Sequence, residues 1–203
     1  MRTTARALSV TAVLAGTVAL SACGGTNTDH NGMTGMGSAS SSATSAAKVD
    51  PADVMFAQSM VPHHQQAVEM ANLALTRASS ADVKALATKI KAAQDPEIAT
   101  MDGWLGTWGA PTGSADMNGM AGMDHGSDGM MSQVDMTKLS QASGAQFDRM
   151  WLTMMIAHHQ GALTMAKDVL TTTKDPRVRV LAQSIVDGQT KEITTMNGLL
   201  SGS

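Results

Sequence analysis

Six histidines occur in this 203-residue chain, and four of them form two adjacent pairs. His63-His64 lies in "MVPHHQQAVEMA", residues 60–71, and His158-His159 in "MIAHHQGALTMA", residues 155–166. A constant offset of 95 positions carries Met60 to Met155, His63 to His158, His64 to His159 and Met70 to Met165. Imidazole is a borderline ligand that binds when neutral, and thioether sulfur is soft and uncharged. Together they suit Cu(I), then Cu(II), and by analogy Ag(I). Zinc would accept the histidines but gains little from methionine. The oxygen clusters that calcium or magnesium require are missing.

The chain carries 18 methionines against two phenylalanines and no tyrosine. Methionine can fill a helical core, but several stand where no core is expected. Met117, Met120 and Met123 are spaced by three among glycines, followed by Asp124-His125 and Met130-Met131. His30, Met33 and Met36 repeat that pattern on a smaller scale. Exposed methionines in Gly-rich chain gain no burial. They read as weak Cu(I) ligands that bind less tightly than a preformed site, because ordering the chain opposes binding.

Helical elements are needed to position the pairs. On a helix, residues three, four and seven apart share a face, which puts Met60, His63, His64, Ala67 and Met70 on one stripe with Phe56. Met155, His158, His159, Ala162 and Met165 share the matching stripe with Trp151. Asp50 and Pro51 supply a start signal, as do Asp175 and Pro176. Ser79 or Ser80 can cap a second helix, and a third should run from about Gly144 to Thr172. The apolar positions of the second helix (Val83, Leu86, Ile90, Ile98, Met101, Leu105) recur at the same offset in the fourth. Gln94, Glu97 and Met101 likewise recur as Gln189, Glu192 and Met196. The sequence therefore predicts an all-α chain: two duplicated helical hairpins, 49–108 and 144–203, packed as a four-helix bundle around a 109–143 loop. Within each pair, neighbours lie about 100° apart around the helix, so one histidine can be a ligand while the other is a hydrogen-bonding neighbour.

The first 22 residues read as a secretory signal peptide: Arg2 and Arg6, an apolar run, then small residues. Leu20-Ser21-Ala22-Cys23 resembles the bacterial lipoprotein cleavage box, in which the cysteine becomes the lipidated first residue. Residues 23–48 read as a Gly/Ser-rich tether. Lipidation of Cys23, the one cysteine, would leave no free thiol. Soft-metal ligands would then come from Met and His alone. Loss of Arg2 and Arg6 takes the basic count from 14 to 12 against 17 acidic residues, a formal −5. That balance, with so few aromatics, argues against nucleic-acid binding.

The motif Met-x-x-His-His, a methionine six residues after the second histidine, and the later Gln-x-x-Glu-x-x-x-Met resemble the DUF305 family. The resemblance covers about residues 50–108 and 146–201. It implies an extracytoplasmic, ferritin-like helical bundle, copper-binding in some members. It carries over Met60, His63, His64, Met70, Gln94, Glu97, Met101, Met155, His158, His159, Met165, Gln189, Glu192 and Met196 as metal-site candidates. Two prolines depart from the repeat. Pro62 faces Ala157 and is expected to kink the first helix. Pro96 faces Lys191 and is expected to break the second, re-aiming Glu97 and Met101.

The expected function is a membrane-anchored, non-enzymatic lipoprotein that buffers or sequesters copper. One alternative is a metal-free structural or interaction bundle. A di-metal oxidoreductase is the weaker alternative: Glu-x-x-His pairs are absent, and Glu69, which follows its histidines, is matched by Thr164.

Overall fold

The computed structural model describes residues 49–112 and 129–202. Cys23, the 1–48 leader and tether, and Met117, Met120, Met123 and His125 lie outside the described residues.

Five helices make up the described chain: α1 (Pro51–Arg77), α2 (Ala81–Trp108), α3 (Gln133–Gln141), α4 (Gly144–Thr172) and α5 (Pro176–Ser201). Local chemistry sets their ends. Asp50 accepts from the Ala52 N–H at 2.9 Å, and Asp175 from the Arg177 N–H at 2.8 Å, each just before a proline in the first turn. Ser80 caps α2. Gly109, at φ 66°, closes α2 in a left-handed turn.

The four long helices pack as the expected bundle. α1 lies against both α2 and α4, α4 lies against α5, and lighter contact between α2 and α5 completes it. No described helix is long and apolar enough to cross a membrane.

Two expectations are corrected. The 109–143 segment is not all loop, because it contains α3. Ser132 and Asp135 exchange hydrogen bonds at its start, Ser132 Oγ to the carboxylate at 2.7 Å and the Asp135 N–H to Ser132 Oγ at 3.1 Å. Met136 and Leu139 then bury against α4 and its neighbours. Pro96 does not break its helix: α2 runs through without interruption, as does α1 through Pro62. A proline removes one N–H bond, and the packing of a 27- or 28-residue helix offsets that loss. The Pro96 carbonyl still accepts from Thr100 Oγ1 at 2.7 Å.

The core is divided in two. One half gathers Met70, Leu86, Ile90, Leu139, Phe147, Trp151, Met155 and Met196. The other gathers Phe56, Met60, Met101, Leu105, Val169, Val178 and Ile185. The buried histidines belong to neither cluster.

Candidate metal centre

All four paired histidines are buried, with His63 at 1% exposure and His64, His158 and His159 at 0%. They occupy equivalent places near the middle of α1 and α4. The pairs divide into two kinds of histidine. His63 and His158, from the two repeats, meet across the bundle with ring centroids 3.8 Å apart and planes tilted by 36°. Their doublet partners turn away, at centroid distances of 6.4 Å (His63–His64) and 6.5 Å (His158–His159).

Each outer histidine instead meets a carboxylate of its own hairpin. His64 Nε2 lies 2.8 Å from Glu97 Oε2, and His159 Nε2 lies 2.8 Å from Glu192 Oε2. The carboxylates sit at the rim, 17% and 18% exposed. Pro96 therefore does not re-aim Glu97, and the two half-sites agree in this distance.

Several ring and amide atoms are enclosed without hydrogen-bond partners: Nδ1 of His64 and His159, both ring nitrogens of His158, both amide atoms of Gln94, and Oε1 of Gln189. A buried polar atom left unsatisfied costs about 1–3 kcal/mol, so this layer is suited to take up ordered water or a ligand. The His158 imidazole is held well below its ordinary pKa, first by burial and then by the neighbouring imidazoles of His63, His159 and His64. It is neutral, the state in which imidazole binds metal.

The predicted methionines divide evenly around this layer. Met60 and Met101 are fully buried in one core half, Met155 and Met196 in the other. The antiparallel register set by His64 and Glu97 puts Met101 level with Met60, and Gln94 level with Ala67. The α4–α5 register repeats this with Met196 and Met155, and with Gln189 and Ala162. Met70 is fully buried, whereas its counterpart Met165 is only partly so. Among the described residues, no three His, Cys, Asp or Glu side chains form a metal-holding group.

One feature beside the site escaped the sequence reading. Gln66 holds both backbone groups of Met131: its Nε2 donates to the carbonyl at 2.9 Å, and its Oε1 accepts from the N–H at 2.7 Å. Gly129, at φ 74°, lies so close to α4 that an added Cβ would stand 2.4 Å from the Ala157 carbonyl oxygen and 3.1 Å from His158 Cα. The glutamine-for-glycine difference between Gln66 and Gly161 was the available signal.

Known relatives share this architecture. The chain is similar to a DUF305 fragment from Deinococcus radiodurans, at 35% identity and TM-score 0.68 over 76% of this chain and 98% of that one. A DUF305 protein from Streptomyces coelicolor, thought to be secreted, matches at 35% identity and TM-score 0.66 over 74% and 93%. CopM in its Cu(I)-bound form matches at 31% identity and TM-score 0.60 over 74% and 96%. CopM structures with Cu(II) and with silver match as well. Protein L153 of Acanthamoeba polyphaga mimivirus is 45% identical over 53 residues, 26% of this chain; the match spans about a third of that curated relative, 35% of its length. The family profile described as a domain of unknown function, DUF305, matches residues 53–200. On that match and that architecture, the chain belongs to the DUF305 family.

Proposed function

We propose that this protein binds copper, preferring Cu(I), and buffers or sequesters it outside the cytoplasm without turnover. The observation that carries the reading is the enclosed layer of four imidazoles between two methionine-bearing core halves, with orphaned nitrogens on His64, His158 and His159. Neutral nitrogen and soft sulfur donors favour Cu(I) over harder ions. The copper- and silver-bound CopM structures, similar in fold, support the same choice.

His63, His64, His158 and His159, with Met60, Met101, Met155 and Met196, would hold the ion, whose chemistry there is that of a stored soft cation. Glu97 and Glu192 are engaged with histidine, not free as ligands. Met117, Met120, Met123 and His125 would add weaker sites. The leader, the cysteine at its end and the secreted relative support an extracytoplasmic protein anchored by lipid at Cys23.

The test is an anaerobic Cu(I) titration of residues 24–203 against a coloured chelator. A variant with His63, His64, His158 and His159 changed to Ala should lose the tightest sites. One with Met117, Met120 and Met123 changed to Leu should lose only weak ones. Equal binding by the wild type and the histidine variant would sink the bundle site.

A further inference from the structure

The two histidines of each doublet do different work, and the carboxylates show how. Glu97 and Glu192 are 33 residues downstream of His64 and His159 respectively, on different helices, and make the same 2.8 Å contact to Nε2. One pair is formed by helices that contain prolines and the other by helices whose interiors have none. The same bond thus arises twice on differing backbones. A carboxylate only accepts hydrogen bonds, so Nε2 must carry the proton. Nδ1 of both rings is enclosed and has no partner. A proton there would be a buried donor with nothing to receive it, whereas a lone pair there is a ready metal ligand.

We propose that Glu97 and Glu192 are positioning residues, which lock His64 and His159 in the Nε2–H tautomer so that each presents Nδ1 to copper. This rests on the copper reading above. The logic is that of a metal-bound histidine whose second nitrogen is held by a carboxylate, which fixes ring orientation and raises ligand basicity. His63 and His158 instead meet each other across the bundle, with ring centroids 3.8 Å apart.

The experiment uses the soluble protein with 15N-labelled histidine. Long-range proton–nitrogen correlation spectra of the metal-free protein at neutral pH report the tautomer directly. His64 and His159 are expected as Nε2–H. Silver(I), a diamagnetic probe, should then shift Nδ1 of both residues and leave Nε2 nearly unmoved. Glu97→Gln and Glu192→Gln add a donor at the same place, so the tautomer should become mixed with helicity unchanged. Affinity for Cu(I) should fall about 10–100-fold. An Nδ1–H tautomer in the metal-free protein, or silver shifts at Nε2, would overturn the positioning role while leaving copper binding intact. Nε2–H tautomers with no silver response at any histidine would instead overturn the copper reading, and this proposal with it.

Discussion

The two ends of the bundle descend from one repeated pattern yet are built differently. At the end containing α3, Trp151 fills the core and donates from Nε1 to the Met70 carbonyl at 2.9 Å. At the other end, the equivalent residue is Phe56, which has no such donor. Asp148 of α4 reaches the α1–α2 turn and accepts from the Ser79 and Ser80 N–H groups at 3.1 and 2.9 Å, and from Ser79 Oγ. Its counterpart Asp53 faces the α4–α5 turn near Thr173. There burial raises its carboxyl above the ordinary value, with the hydroxyl of Thr173 pulling the other way. Between these unlike ends, both His–Glu distances are 2.8 Å. The ends diverged in packing and capping, whereas the middle layer kept one geometry twice.

The largest expected effect separates the ends by packing. Trp151→Ala should cost about 4–5 kcal/mol and Phe56→Ala about 3 kcal/mol, read by urea unfolding. Equal costs would mean that the α3 end is no better packed.

Capping should differ next. Asp148→Asn should lose about 2 kcal/mol, since an amide cannot accept from three donors as a carboxylate does. Asp53→Asn should be neutral or slightly stabilising at neutral pH. A group whose folded pKa is raised contributes stability below its unfolded pKa, and loses it as pH rises through the folded value. Asparagine mimics the protonated form. A large loss in Asp53→Asn would break the contrast.

The middle layer should lose stability in acid, the opposite sign to Asp53. The folded pKa of His158 is depressed below 6.5, so the unfolded chain takes up its proton first. Stability of the metal-free protein should hold above that value and fall as pH drops through it, levelling only below the folded pKa. Thermal melts between about pH 7 and about pH 5 would show the slope, and His158→Asn should reduce it. A flat profile would mean that the ring is not held neutral.

The smallest effect concerns the clamp present in one repeat alone. Gln66→Ala should cost about 1 kcal/mol and speed hydrogen exchange at the Met131 amide. Unchanged exchange would show that Gly129 alone fixes that segment.

Much of this was legible in residue spacing. The offset of 95 gave the hairpins, the Asp-Pro starts gave α1 and α5, and stripe geometry buried both histidine doublets. The division of labour within each doublet was not legible. A rotation of about 100° per residue says that neighbours diverge, but not which one finds a carboxylate. α3 was missed because its nine residues lie downstream of Gly-rich chain, although Ser132-x-x-Asp135 was a capping signature. Pro96 misled because propensity is local, whereas the packing that keeps α2 continuous is tertiary.

The Gly129 turn has a consequence for how this protein can change over generations. Gln58 holds the Pro111 carbonyl at 3.1 Å on one side of residues 113–128, and Gly129 and Met131 are fastened on the other. These contacts are made by the flanks alone, so substitutions within 113–128 replace none of the residues that make them. Under the proposed copper function, selection can then adjust the number of methionines there while the buried layer stays as it is, so capacity and affinity would evolve on separate parts of one chain.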